Sequence, residues 1–197
     1  MRLAVRPLAL VAGAMACTAA GLAAAQAPAA FDSTRAYTHV REQVYVPGPA
    51  GTPANARTRA YITKVLAAAG YKAVEQAFET STPVGRVKMA NIVATLPGER
   101  PERIILASHF DTKPIDEFRF VGANDGGSGT GVLLELARVL KSKPRPRFTI
   151  EFLFFDGEEA WGEWTGTNHT YGGRRARLGP PGPTARSPRS RRSSCST

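Results

Sequence analysis

RIILASHFDTK (103–113), GANDGGSGTGVLLELARVLK (122–141) and RFTIEFLFFDGEEAW (147–161) are the stretches whose reading decides the fold. RIILAS (103–108) is an unbroken apolar run of strand length, the pattern of a strand buried on both faces of a sheet. VLLELARVLK (132–141) sets Val132, Leu133, Leu136, Ala137 and Leu140 on one helical face. Lys141 and Lys143 suit the negative end of that helix, and Pro144 and Pro146 stop it. RFTIEFLFF (147–155) returns as a strand with Phe148, Ile150, Phe152 and Phe154 on one side. A strand, a helix and a second strand in this order predict an α/β unit.

Towards the N-terminus, Thr52 suits a helix N-cap and Pro53 the first helical position. Tyr61, Ile62, Val65, Leu66 and Ala69 recur at helical spacing, and Gly70 closes the helix. YKAVEQAF (71–78) and RVKMANIVATL (86–96) are expected to form strands of a meander, with a turn at Pro97-Gly98. The predicted order is α-β-β-β-α-β around a largely buried sheet. The apolar faces of 132–141 and 147–155 are expected to need cover from elements beyond residue 173 and, without it, to leave the chain marginally folded; leaving even two phenylalanines exposed would forfeit about 1.5–3 kcal/mol each.

The chain of 197 residues carries 26 Lys+Arg against 16 Asp+Glu, a net charge of +10. Seven arginines lie in 174–197 without an acid, and Arg2 and Arg6 stand in 1–26 without one. Residues 27–173 are left with 17 bases and 16 acids, which excludes a nucleic-acid-binding reading based on overall charge. Arg2, Arg6, the Ala-rich run 8–25 and Ala23-Ala24-Ala25 predict a signal peptide over 1–25 and an exported protein. Cys17 offers a lipoprotein alternative. Residues 27–173 contain no cysteine, so neither a disulfide nor a Cys-based zinc site is available there. The Arg/Pro/Ser-rich segment 174–197 is expected to be a disordered tail. A basic arm is another reading of it, and a frame-shifted or prematurely ended coding sequence is the preferred one.

Three acid-bearing segments fall at strand ends or helix starts, where ligands collect in open α/β sheets. In Ser108-His109-Phe110-Asp111, His109 and Asp111 face one side of an extended segment, at the spacing of a metal ligand and its orienting partner. In Gly122–Gly129, glycines let the backbone turn tightly beneath Asp125 before a helix. In Glu158-Glu159, adjacent carboxylates repel and call for a cation, a shared proton or water. One can bind metal while the other takes a proton. Singly, an H-x-D, an Asp beside Gly and a Glu pair each have an ordinary structural explanation; their order at strand ends is what points to a site. His39 and His169 are expected to be structural or surface residues. Trp161 and Trp164 are expected in the core or lining a pocket beside the site.

Together these segments resemble the zinc aminopeptidases and glutaminyl cyclases, which share one α/β exopeptidase fold. IILASHFDTK, FVGANDGGSGTGVLLELARVL and FLFFDGEEAWGEW stand in the order of that family's metal-site segments. HFDTK, DGEEA followed by a Trp, and NHTYGGR are similar to the glutaminyl cyclase branch. The resemblance implies a three-layer α-β-α fold with a mixed, mostly buried sheet, residues 26–173 forming part of such a domain. It implies that Asp125 and Glu159 bind zinc, that Glu158 is the proton shuttle, that Asp111 orients the metal-site groups and that Trp164 stacks on substrate. His109 would bind a second zinc in the aminopeptidase branch and lie beside the site in cyclases that hold one. The implied activity converts the N-terminal Gln of a peptide to pyroglutamate. A di-zinc aminopeptidase is the alternative, and a non-catalytic module with a basic tail is a third reading. The implied partners are peptide N-termini, with no nucleic acid, no membrane contact beyond the signal, and a monomeric state. In the family the Tyr-Gly motif continues with Ser-Arg-His and further strands. Here Tyr171-Gly172-Gly173-Arg174-Arg175 runs into a stretch, 174–197, without His, Asp or Glu. The expectation is therefore a chain that lacks the family's remaining zinc-binding His and is inactive by itself.

Overall fold

The computed structural model describes residues 29–45 and 48–176. The expected signal, Cys17 and the stretch beyond Ala176 lie outside the described residues. Asp32 starts helix α1 (Ser33–Val44) by accepting the N–H groups of Thr34 and Arg35. This helix is missing from the order predicted above. Its sequence is mostly polar because it covers α3 (Gly129–Lys141) from outside rather than entering the core. Gly131 permits the contact: a Cβ there would lie 2.7 Å from the Ala36 carbonyl oxygen. His39 is structural, its Nδ1 lying 2.7 Å from the Tyr61 hydroxyl.

Helix α2 (Pro53–Ala68) begins and ends as its sequence dictates. Thr52 Oγ1 accepts the Asn55 N–H at 3.2 Å, and at the other end Gly70 turns left-handed at φ +81. Strands β1 (Ala73–Thr82), β2 (Gly85–Leu96), β3 (Arg100–His109) and β4 (Phe148–Phe155) form one sheet in the order β1-β2-β4-β3. The β1/β2 and β2/β4 pairs are antiparallel; β3/β4 is parallel, joined through α3.

Two expectations about the sheet are corrected. The meander stops at β2, because β4 inserts between β2 and β3; the Pro97-Gly98 turn carries the chain past the start of β4, where a Cβ on Gly98 would meet the Phe148 carbonyl carbon at 2.2 Å. And RIILAS is not buried on both faces: β3 is an edge strand among the described residues, leaving Ile104 and Ile105 47% and 42% exposed. An apolar run reports that both faces are apolar, not that a neighbouring strand is present.

The pleat puts Ile92, Ala94 and Leu96 of β2 beside Phe154, Phe152 and Ile150 of β4 on one face. Ile62 and Leu66 of α2 and Leu133, Leu134 and Ala137 of α3 cover it. Phe152 and Phe154 are fully buried there, so that face has the cover it needs. Val132, assigned above to the buried face of α3, is instead 42% exposed; Leu134 takes the inner position. A smaller cluster of Ala50, Met89 and Tyr171, with Val87 and Trp161, forms on the opposite pleat face. Tyr171 belongs to a short helix α4 (Tyr171–Arg175), so Arg174 and Arg175, grouped above with the tail, close a helix. No helix among the described residues is long and apolar enough to cross a membrane.

Candidate active site

Parallel strands β3 and β4 end side by side, which delivers His109, Asp111 and the Asp156–Glu159 segment to one edge of the sheet. Asp111 is the organising group. Only 1% exposed, its carboxylate accepts the backbone N–H groups of Glu158 at 3.0 Å and Glu159 at 3.1 Å. The loop after β3 thus fixes the backbone after β4. His109 Nδ1 lies 3.2 Å from the Asp111 carbonyl oxygen, and Nε2 lies 3.0 Å from Asp125 Oδ1. Both partners are acceptors, an arrangement that suits an imidazolium with both ring nitrogens donating. Burial opposes the charge, but Asp111, with Glu158 and Asp125, overrides it and raises the His109 pKa to about 9.

An irregular turn, Ala123–Ser128, kinked at Asp125 and Gly126, leads into α3 and carries Asp125. Gly126 inside it has φ +82, and a Cβ there would stand 2.9 Å from the His109 ring. Only glycine allows the turn to press Asp125 against the imidazole. Glu159 is buried and its pKa is pushed up to about 7, by burial first and then by the charges of Asp125 and Asp111. Glu158 is half-buried and also raised by burial, against the pull of His109.

Four carboxylates, of Asp111, Asp125, Glu158 and Glu159, therefore crowd around one imidazole. That donor chemistry fits a divalent cation, which would neutralise the charge that drives the two glutamates upward. Among the described residues no three His, Cys, Asp or Glu side chains converge as a ligand set.

Several further residues complete the site. Asp156, with no exposure, accepts from Asn55 Nδ2 and from the Ala90 N–H, both at 2.9 Å, and lies 3.7 Å from Arg59. Burial, then the charge of Asp111, raises its pKa to about 7. Asn91 accepts the Asp156 N–H and donates to the Gly172 carbonyl. The NHTY segment also returns to the 157–159 loop: Thr170 N–H and Tyr171 N–H each donate at 2.7 Å, to the Glu158 and Gly157 carbonyls. Lys113 Nζ donates to the Ala160 and Gly162 carbonyls at 3.2 and 2.6 Å. Its spacing from His109 and Asp111, two residues at a time along HFDTK, was the available signal. Trp164 is 47% exposed and stacks on His169, with ring centroids 4.3 Å apart, whereas Trp161 packs edge-on against Tyr171. His169, set aside above as a surface residue, is thus the partner of the predicted substrate-stacking Trp164.

Residues 91–174 match the model of peptidase family M28. The chain is 37% identical over 147 residues to a glutaminyl-peptide cyclotransferase-like protein of Bos taurus, covering 70% of this chain and 38% of the relative. Among solved structures it is similar to an Acidobacteriales bacterium glutaminyl cyclase, with a TM-score of 0.68, 34% identity, and coverage of 76% of this chain and 53% of that one. It is also similar to a Zn-dependent exopeptidase from Parabacteroides distasonis, with a TM-score of 0.65, 29% identity, and coverage of 74% and 55%. The chain thus spans about two fifths of the bovine relative and about half of these structures.

Proposed function

The chain carries a peptidase family M28 domain and belongs with the glutaminyl cyclases and zinc exopeptidases, and from that premise we propose that the complete site closes the N-terminal Gln of a peptide to pyroglutamate with release of ammonia. The observation that carries this reading is the double hydrogen bond from the Glu158 and Glu159 backbone to buried Asp111. It holds two adjacent carboxylates at a strand end with their side chains uncommitted to each other. Asp125 and Glu159 would hold zinc, which supplies Lewis-acid polarisation of the substrate γ-carbonyl when bound.

The chain's own residues supply the rest. The substrate α-amine attacks the γ-carbonyl carbon, and the bond from that carbon to the amide nitrogen breaks. Glu158 takes the proton that the amine loses and returns it to the departing nitrogen, which leaves as ammonia. Its half-buried position, and a pKa raised chiefly by burial, suit a group that must take up and release a proton. Asp111 keeps Glu158 and Glu159 in register. Trp164, exposed and stacked on His169, would offer an aromatic face to the substrate side chain.

An aminopeptidase reading uses the same carboxylates, with Glu158 activating water, and is supported by the likeness to the Parabacteroides exopeptidase. One experiment separates the two. The chain, and a chimera in which residues from 174 onward are replaced by the corresponding part of the Acidobacteriales cyclase, are incubated with zinc and either Gln-peptides or Leu-peptides. Ammonia release with pyroglutamyl product from the chimera supports the cyclase. Release of free Leu without cyclisation replaces it with the peptidase.

A further inference from the structure

The β1–β2 hairpin runs past the rest of the sheet. Ile92 pairs with Phe154, one residue before β4 ends, so Gly85–Asn91 overhang on the side of Asp156 and the catalytic loop. At about 3.3 Å per residue these seven residues reach roughly 23 Å. The overhang is anchored: Asp156 takes the Ala90 N–H, and Met89 and Val87 pack with Trp161, Tyr171 and Ala50. Between it and the loop 49–52 lies a groove of about 510 Å³, bounded on its far side by Pro114 and Trp161. Trp161 is two residues from Glu159, and Pro114 three from Asp111, so the groove starts within two or three extended residues of the carboxylates.

Its chemistry is two-sided. Val87, Pro114 and Trp161 give it an apolar wall, and Glu79, Arg86 and Lys88 line the hairpin side. Arg86 Nε lies 2.8 Å from Glu79 Oε1, and Lys88 is the cross-strand neighbour of Glu79. One acid stands between two bases. Lys88 is exposed and forms no ion pair among the described residues.

We propose that this groove receives the second to fourth residues of a peptide whose N-terminus lies at Glu158 and Glu159, and that Lys88 with Arg86 selects acidic side chains there. The proposal rests on the N-terminal-peptide reading above and adds a downstream specificity to it.

The test is fluorescence anisotropy on the full chain at about 0.1 M salt, where charges more than about 10 Å away are screened. The probes are C-terminally labelled Gln-Gly-Asp-Asp, Gln-Gly-Lys-Lys and Leu-Gly-Asp-Asp. The Asp-Asp probe is expected to bind roughly threefold to tenfold tighter than the Lys-Lys probe. Lys88→Glu should abolish or invert that ratio. Glu79→Gln should increase it. Lys143→Glu, the same change of net charge beyond the other end of α3, should leave it alone. Equal affinity for Asp-Asp and Lys-Lys, or equal effects of Lys88→Glu and Lys143→Glu, would overturn the groove. An acidic preference that persists while Gln and Leu probes bind alike would keep the groove and sink the N-terminal Gln selection.

Discussion

Replacing Asp111 by Asn tests whether one buried carboxylate holds the 157–159 loop. The carboxylate accepts two N–H groups, from Glu158 and Glu159, at 3.0 and 3.1 Å, and is almost wholly out of water. An amide keeps one acceptor and turns an NH2 towards the other N–H. The loss is one hydrogen bond to a charged group, worth about 1.5–3 kcal/mol, and a buried donor is left without a partner, costing about 1–3 kcal/mol. Against this, removing the charge relieves Glu159 and Asp156, both of which Asp111 pushes towards protonation. The balance is a net loss of about 2–4 kcal/mol, a large share of a typical domain stability of about 5–15 kcal/mol. Urea unfolding in the presence of a chelator measures it without metal linkage, and amide exchange at Glu158 and Glu159 localises it. A change in midpoint worth less than about 0.5 kcal/mol at constant m, with both amides still protected, would refute Asp111 as the organiser.

The pH dependence of stability should carry the mark of Asp156, whose folded pKa of about 7 lies above its ordinary 3.8. The native state then holds a proton that the unfolded chain releases, so the Asp156 contribution falls as pH rises from about 4 to about 7. Asp156→Asn should flatten that slope in urea titrations, and an unchanged slope would remove Asp156 as its source. Lys113→Met should cost about 1–2 kcal/mol and speed amide exchange around Ala160 and Gly162, whose carbonyls lose their ammonium; unchanged exchange there would show that Lys113 does not hold the loop. Zinc should bind this chain weakly, because Asp125 and Glu159 are two donors where zinc sites take three or four; stoichiometric zinc after prolonged dialysis against a chelator would contradict this. In the active chimera, Glu158→Gln should keep zinc and lose roughly 10²–10⁴-fold in turnover; loss of zinc with activity would exchange the roles of Glu158 and Glu159.

What the sequence displays and what it hides divide along one physical line. Thr52, Pro53 and Gly70 act through local hydrogen bonds and dihedral angles, so the ends of α2 are legible from their immediate neighbours. The strand-end motifs are legible for the same reason: His109 with Asp111, Asp125 in its glycine turn, and the Glu158-Glu159 pair each combine residue type with short spacing. Sheet order is a pairing decision between distant segments, and the apolar runs at 86–96, 103–108 and 147–155 are compatible with more than one order. Placing β4 beside β2 needed the register of Ile92 on Phe154, which no local pattern reveals.

The hidden part of the site follows the same division. Asn55, Asn91 and Asp156 sit 36 to 101 residues apart along the chain, yet share one buried hydrogen-bonded network behind the 157–159 loop. Each looks like an ordinary turn or cap residue in sequence. Once buried, each must find a partner or cost about 1–3 kcal/mol, so the fold has few alternatives to this network. It ties α2, β2, the end of β4 and, through the Gly172 carbonyl, α4 to the residues just ahead of Glu158. The glutamates are therefore placed in part by Asn55 and Asn91, which lie far from them in sequence. A substitution such as Asn91→Ala should then disturb Glu158 and Glu159 without touching them, detectable as faster exchange of their amides with both carboxylates intact. Unaltered exchange at both positions would confine the network to stability alone.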